Sequence, residues 1–240
     1  IQLIFLIRDN LASRLAEGAV TSLTYGWMIQ QVPETLIGTA IGTALLPTLS
    51  EHFSRDEKQA FSERIDKAFK ALLALTLPVT AVLATGLRPL LGLAFDFGAA
   101  GTRMLAWVTA AFMLGLFGHS LKEVSARAFY ASQNAWVPLA TAGGNVLVYT
   151  LCGALFYRPL GAPGIALTDS LIFSLEALVL LALLIRSGRV SIVPSSTACR
   201  ALLGCVSAGA VTWLGVTLLE AHAHPLISGS VPMFAGILVS

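Results

Sequence analysis

Long runs of apolar residues dominate the sequence, and short polar or charged stretches separate them. Most runs reach the ~20 residues that a helix needs to cross a hydrocarbon core, so we expect about eight membrane-crossing helices. The runs are continuously apolar rather than alternating, which excludes barrel strands. The predicted fold is an all-α polytopic transmembrane helical bundle. The expected spans are 1–13, 18–49, 71–95, 104–130, 137–157, 162–185, 198–219 and a last span that runs to Ser240.

Composition agrees with a membrane protein. Of the 240 residues, 56% are hydrophobic and only 12% are charged, and the mean hydropathy is +0.79. A soluble domain with a charged surface is therefore excluded. The net charge of +2 gives no indication of a nucleic-acid partner, and we expect no enzyme, because no nucleophile–base pair or phosphate loop is present. The three cysteines lack metal-ligand spacing and are expected to be buried small residues: Cys152, Cys199 and Cys205.

Lysine and arginine residues concentrate in alternate connections between the spans. These are the connection after the second span, the end of the fourth span and the connection before the seventh span. By the positive-inside rule these regions are cytoplasmic, and the other connections face outward. The cations concerned are Arg55, Lys58, Arg64, Lys67, Lys70, Lys122, Arg127, Arg186, Arg189 and Arg200.

The segment from Ser54 to Leu72 is expected to be a separate amphipathic helix that lies in the membrane interface and leads into the third span. Ser54 and Glu57 have capping-box spacing, and an apolar face includes Phe61 and Ile65. A contact with anionic lipid and a solvated linker that binds nothing are both open interpretations.

Polar residues lie near the middle of the second span, where they are costly. Gln30, Gln31 and Glu34 are grouped there, and Pro33 frees backbone groups that need other partners. Such a segment is expected to line a cavity rather than face lipid. Gly38 and Gly42 form a small-residue step that allows another helix to approach closely.

The segment 17–53, EGAVTSLTYGWMIQQVPETLIGTAIGTALLPTLSEHF, resembles the signature of the lipid II flippase family (MurJ, also called MviN). That family belongs to the multidrug/oligosaccharidyl-lipid/polysaccharide exporter superfamily. Three further similarities follow in the family's order: LALTLPVTAVL at 73–83, RAFYASQNAWVP at 127–138, and GNVLVYTL with GAPGIALTDSL at 144–171. The resemblance covers roughly the first 190 residues, and the last two spans match only by position.

The resemblance implies a transporter of two inverted-topology lobes followed by two extra helices. Residues 1–190 correspond to the second lobe and 191–240 to the extra pair, so we expect a fragment that lacks the first lobe. The implied function is alternating-access movement of undecaprenyl-linked peptidoglycan precursor (lipid II) across the bacterial inner membrane. The implied partners are that precursor, membrane lipids and the N-terminal lobe. A cation-coupled small-molecule or polysaccharide-lipid exporter and a non-transporting homologue remain open.

The chain departs from the family pattern where the substrate is expected. The usual acid–arginine pair is replaced by Trp27 and Met28, and a further acid by Gln31. An arginine can hold a pyrophosphate through two hydrogen bonds, which Met28 cannot do. We expect either Arg8 or the first lobe to supply the cation. The predicted cavity residues are Glu34, Gln30, Gln31, Arg8 and Pro33.

Glu34 has no basic residue within a helical turn. We hypothesise that it binds a coupling cation or pairs with an arginine of the first lobe, and the alternative is a protonated carboxyl bonded to a neighbouring helix. In the fourth span, Glu123 and Arg127 are expected to form a structural ion pair. His119 in the same span is expected to be a packing residue.

A sodium site is a second implication of the resemblance. It would use an acid on the first helix, an asparagine on the fifth and a threonine on the sixth. Asn145 and Thr168 occupy two of these positions, and hard oxygen ligands suit the ion. The acid's position holds Arg8, so the candidate acids are the adjacent Asp9 or Asp169. The alternative is that Asn145 and Thr168 only form hydrogen bonds between helices. No other cofactor is expected.

Overall fold

The structure is a computed structural model that describes residues 2–94, 98–188 and 190. The described residues are helical and contain no strand, which confirms the predicted fold class. The spans predicted for 198–240, with Cys199 and Cys205, lie outside the described residues. The helices are α1 (Gln2–Ala12), α2 (Ala19–Glu34), a π-helical turn (Thr35–Thr39), α3 (Ala40–Ser54), α4 (Lys58–Ala94), α5 (Gly98–Leu114), α6 (Leu116–Ala131) and α7 (Trp136–Arg186).

Helix α2, the π-helical turn and α3 form one long apolar rod, which corresponds to the second predicted span and which we name the second rod. Pro33 lies in the last turn of α2 and cannot donate a backbone hydrogen bond, and the wider π turn begins two residues later. The rod, Ala19–Ser54, is longer than the predicted span 18–49. The distortion therefore falls in the middle of the second span, next to its polar residues.

Helix α4 differs from the predicted interfacial helix. It begins at Lys58 and continues to Ala94 without a break, and no proline or glycine interrupts its first five turns. Ser54 ends the preceding helix, where its hydroxyl donates to the Glu51 carbonyl instead of capping α4. Phe61 and Ile65 pack against α3 and α6. The segment is therefore not a separate helix, and its apolar face is buried in the bundle; its position in the membrane interface stays a prediction.

Helix α7 is a helical hairpin. Gly161 has a φ of 62° and a ψ of −145°, and Pro159 and Pro163 flank it. This break divides α7 into a first limb (136–160) and a second limb (162–186), which correspond to the predicted spans 137–157 and 162–185. A straight helix of 51 residues would be about 75 Å long, more than twice the thickness of a hydrocarbon core. The two limbs lie side by side, since residues 31 positions apart are hydrogen-bonded between them.

The fourth predicted span, 104–130, is two helices that meet at Gly115. At Gly115 and Gly118 the second limb of α7 comes very close, because a Cβ atom added at either glycine would lie 2.7 Å from the Cα of Ser170 or Ser174. Small residues on both helices permit this approach. The sequence analysis did not predict this contact.

Glycines of the second rod also allow close packing, but not equally. A Cβ atom at Gly26 would lie 2.9 Å from Val108 Cγ1, and one at Gly38 would lie 2.9 Å from Ser120 Cα. At Gly42 the nearest atom, Arg127 Cγ, is 3.4 Å away. The closest approach is therefore at Gly26 and Gly38.

The outer surface of the bundle suits a membrane. Three helical stretches of the described chain are long and apolar enough to cross a bilayer: Ala19–Ser54, Ala100–Ala131 and Trp136–Arg186. Leu147, Leu151 and Leu155 form an exposed apolar stripe along the first limb of α7. The number of about eight spans stays a prediction.

Candidate functional site

A cavity of about 210 Å³ lies among α1, α2, the π-helical turn, α6 and α7. Its wall combines apolar and aromatic side chains with six that are charged or carry amides. Polar side chains in a membrane bundle are costly and usually face water or a substrate path. The lining residues are Ile4, Phe5, Trp27, Gln30, Gln31, Glu34, Thr39, His119, Lys122, Glu123, Asp169 and Phe173.

The second rod supplies the amides and one carboxylate of this wall. Gln30 is 2% exposed, and its Nε2 has no hydrogen-bond partner among the described residues. Glu34 Oε1 accepts a long hydrogen bond of 3.4 Å from Thr39 Oγ1, and no described cation pairs with Glu34. Gln31 lies on the same wall. Pro33 is buried within the rod but does not line the cavity.

The opposite wall contains a paired histidine and aspartate. His119 Nε2 lies 3.2 Å from Asp169 Oδ2, and both side chains are almost completely buried. The His119 ring packs on Phe173 with 4.3 Å between ring centroids. Lys122 Nζ lies 4.6 Å from the centroid of the same phenyl ring. His119 therefore packs as expected, but it also forms a polar pair that the sequence analysis missed.

Glu176 lies seven residues after Asp169, on the same face of the second limb. It is 6% exposed and accepts hydrogen bonds from Asn145 Nδ2 at 2.6 Å and Thr141 Oγ1 at 3.4 Å. Lys122 and His119 are close enough to act on the Glu176 carboxylate electrostatically. We name His119, Lys122, Asp169 and Glu176 the α6–α7 charge cluster.

Two signals in the sequence could have found this cluster. Asp169 and Glu176 are two helical turns apart in one span, and His119 and Lys122 are neighbours on one face of another span.

Glu123 and Arg127 behave as expected, since Arg127 Nε donates to Glu123 Oε1 at 3.0 Å. Lys122 is the one lysine or arginine among the described residues of the wall, and no carboxylate is bonded to it.

Arg8 and Asp9 lie away from the cavity wall. Arg8 is 5% exposed, its Nε donates to Asp9 Oδ1 at 3.1 Å, and its guanidinium lies 4.6 Å from the centroid of the Phe5 ring. Arg8 belongs to the face of α1 that packs on α7, between Ile4, which contacts Tyr149, and Leu11, which contacts Gly153. The structure therefore does not bring Arg8 together with Glu34.

Two residues of the implied sodium site, Asn145 and Thr168, have hydrogen-bond partners in the structure. Thr168 Oγ1 donates to the Gly164 carbonyl of its own helix at 2.9 Å, whereas Asn145 donates between the limbs to Glu176. Arg8 brings a positive charge to the position of the expected acid. Sodium needs several oxygen ligands around one point, and the sodium site stays a prediction. No group of three His, Cys, Asp or Glu residues in the described chain is arranged to hold a metal ion.

Comparisons with known proteins indicate one family. The model of the family described as lipid II flippase MurJ matches residues 1–233. The lipid II flippase MurJ of Burkholderia cenocepacia is 31% identical over 182 residues, which are 75% of this chain and 35% of that protein. The probable lipid II flippase MurJ of Rhizobium meliloti is 29% identical over 230 residues, 92% of this chain and 43% of that protein.

Solved structures show the same fold. A lipid II flippase MurJ in an inward closed conformation superposes with a TM-score of 0.78 at 19% identity, over 99% of this chain and 49% of that one. An outward-facing multidrug resistance transporter of the MATE family has a TM-score of 0.65 at 12% identity, over 99% of this chain and 59% of that one. The chain spans less than half the length of the two curated relatives and about half of the flippase structure.

Proposed function

The chain belongs to the lipid II flippase MurJ family, and on that premise we propose that it forms one lobe of a lipid-linked precursor transporter. The transporter would move undecaprenyl-linked peptidoglycan precursor from the inner to the outer leaflet of the bacterial inner membrane. Flipping makes and breaks no covalent bond, so we propose no enzymatic activity. The observation that carries this proposal is a polar cavity inside a bundle whose outer surface is apolar.

The two environments of the lobe match the two parts of such a substrate. The polar head group would enter the cavity, where Gln30, Gln31 and Lys122 offer hydrogen-bond donors. The hydrocarbon tail would stay in the bilayer, beside exposed leucines such as Leu147 and Leu151. This division lets the charged part cross without contact with lipid.

We propose that a second helical lobe completes the cavity. The wall supplied by this chain contains three acids, Glu34, Glu123 and Asp169, so it does not by itself attract a pyrophosphate. Trp27 lines the wall where the resemblance leads one to expect an acid, and Met28 is half exposed outside the lining. Cations of the other lobe would then hold the head group.

Alternating access is the proposed mode of movement. The second rod has a π turn at its centre, and α5 and α6 meet at the Gly115 break. Both distortions lie beside helices that border the cavity, and such points allow helix halves to tilt relative to each other. We propose that the cavity opens to one side of the membrane at a time through these bends.

Growth complementation tests the proposed function. A bacterium depleted of its own lipid II flippase would express this chain alone, or with the first half of the Burkholderia cenocepacia flippase. The control pairs that first half with its own second half. We expect rescue with the control and with this chain plus the first half, but not with this chain alone. Rescue by the chain alone would contradict the need for a second lobe, and rescue only by the control would contradict the flippase function.

The acidic wall favours a second candidate, the export of a small cationic molecule coupled to a cation. Glu34 and Asp169 would attract a cationic substrate, and the MATE-like fold is compatible with such a cargo. Susceptibility of the same strains to cationic dyes separates the two candidates. Raised dye resistance without growth rescue would favour the small-molecule exporter.

A further inference from the structure

Arg8 brings a full positive charge into the interior of the bundle. Its side chain is almost completely buried on the face of α1 that packs on α7. A buried cation is costly unless the charges around it compensate it. Within the described residues its ion pair is with the adjacent Asp9, whose side chain is half exposed and therefore partly screened by its surroundings. Arg8 therefore requires a further source of negative potential inside the bundle.

The two limbs of α7 supply that potential beside Arg8. Arg8 lies on α1 between Ile4 and Leu11, which both contact the first limb, and this places it at the level of Tyr149. Tyr149 is completely buried, and its hydroxyl has no hydrogen-bond partner in the described part of the chain. Arg8 and the buried Asp169 are both near enough to act on this hydroxyl electrostatically. The guanidinium and the Asp169 carboxylate therefore belong to one buried region.

The residues of the implied sodium site lie in the same region. Asn145 is one helical turn before Tyr149 on the first limb, and Thr168 is adjacent to Asp169 on the second. The resemblance implies an acid at the position of Arg8, so a charge of −1 is replaced by a charge of +1. A sodium ion beside Arg8 would meet a fixed like charge, and the repulsion between like charges is strong in the low dielectric of a protein interior.

A guanidinium can compensate carboxylates as a bound sodium ion does. Both carry one positive charge, and arginine keeps its charge at every pH at which proteins are folded. The Nε of Arg8 donates to Asp9, and its two terminal nitrogens form no hydrogen bond with the described residues. Those nitrogens can donate to buried oxygens or to water. Because the guanidinium is attached to α1, it stays in place whatever the sodium concentration is.

We propose that the Arg8 guanidinium is a built-in cation that takes the place of sodium between α1 and α7. It provides positive potential for the buried Asp169 carboxylate, and it excludes a sodium ion from the oxygens of Asn145 and Thr168. The packing of α1 on α7 is then independent of sodium. The inference does not rest on the proposed transport function, because it concerns the charge inside this lobe alone.

Sodium binding and thermal unfolding of the chain in lipid nanodiscs test the proposal. Both are measured in sodium chloride and in choline chloride at equal ionic strength, so that only the identity of the cation changes. We expect the wild type to show no saturable binding of radioactive sodium and to unfold at the same temperature in both salts. Arg8→Lys keeps the charge and should behave in the same way.

Arg8→Asp introduces the acid that the resemblance implies. We expect this variant to unfold at a lower temperature than the wild type in choline chloride, because buried carboxylates then lack their internal cation. Sodium should bind saturably and raise the unfolding temperature by roughly 3 to 6 °C at about a tenfold excess over its dissociation constant. Thr168→Val in this background keeps the shape of the side chain, removes a hydroxyl oxygen and should reduce the effect of sodium.

Arg14→Asp is the matched control. Arg14 is exposed just beyond the end of α1 and donates to Asn10, so the same exchange of charge there should produce no effect of sodium. Saturable sodium binding to the wild type that Thr168→Val abolishes would overturn the proposal, and this result does not depend on the folding of any Arg8 variant. A folded Arg8→Asp chain that unfolds at the same temperature in both salts would also overturn it.

Discussion

At the scale of single residues, Glu34 offers the simplest test of the cavity wall. Its carboxylate meets only a long hydrogen bond from Thr39 in the described chain. Glu34→Gln keeps the shape of the side chain but removes its charge. We expect about tenfold slower flipping by this chain paired with the first half of the Burkholderia cenocepacia flippase, because the amide cannot carry the charge with which Glu34 is proposed to bind a coupling cation or an arginine of the first lobe, an interaction worth roughly 1.5 kcal/mol. The measurement is the initial rate of lipid II flipping in vesicles.

Glu63→Gln is the matched control for Glu34. Glu63 is an exposed acid near the start of α4, bonded to Gln59, and the same change there should leave the rate unaltered. If Glu34→Gln flips lipid at the wild-type rate with unchanged dependence on pH and sodium, Glu34 has no functional role.

Some residues of the cavity wall can be predicted from the sequence, whereas the contacts of others cannot. Gln30, Gln31 and Glu34 stand out because polar residues at the centre of an apolar span are costly, and they do line one cavity. The partners of Asn145 and His119 could not be predicted in the same way. Each is more than 30 residues away, and the contact depends on how helices rotate against one another.

At the scale of helices, glycine substitutions in the second rod measure how closely the neighbouring helix packs at each position. A methyl group at position 38 would meet the backbone of α6, whereas at position 42 it would meet the stem of the Arg127 side chain. We expect Gly38→Ala to destabilise the protein by about 1 to 3 kcal/mol and Gly42→Ala to have little effect. Thermal unfolding of both variants in detergent measures the difference. Equal melting temperatures would contradict the described packing.

The hairpin of α7 depends on the backbone of Gly161. Its φ and ψ lie in a region that only glycine occupies readily, so Gly161→Ala should cost about 1 to 3 kcal/mol. Gly143→Ala in the first limb is the control, because nothing lies within 4 Å of its added methyl group. That change should be neutral or slightly stabilising. A melting temperature of Gly161→Ala at or above that of Gly143→Ala would be inconsistent with a sharp turn here.

Element boundaries were less predictable than the existence of the elements. The apolar pattern anticipated both limbs of α7, since the run of prolines and glycines at 159–164 interrupts it. It gave no reason to divide α5 from α6, because a single Gly115 is tolerated within many helices. The apolar pattern also predicted a separate helix at the start of α4, where the structure has one continuous helix. The amphipathic pattern there results from packing on α3 and α6, which a lone sequence does not distinguish from packing on a membrane surface.

At the scale of the whole molecule, the charge pattern predicts which end of the bundle faces the cytoplasm. Lys58 is the first residue of α4 and lies among many cations, whereas Arg158 lies at the turn of α7 in a connection predicted to face outward. We expect a cysteine at position 58 to react with an impermeant maleimide only from the cytoplasmic side, and one at position 158 only from outside. The three native cysteines, Cys152, Cys199 and Cys205, are replaced by serine first. The reverse labelling pattern would contradict the orientation, and with it the direction of transport.

The central claim is that this chain is one lobe of a lipid-linked precursor flippase. The most direct measurement reconstitutes it in vesicles with the first half of the Burkholderia cenocepacia flippase and fluorescent lipid II in one leaflet. A membrane-impermeant quencher then reports how much lipid has crossed. We predict transfer well above that of vesicles containing either half alone. Folded, co-assembled halves that transfer no more lipid than protein-free vesicles, while the native Burkholderia pair transfers it, would contradict the claim.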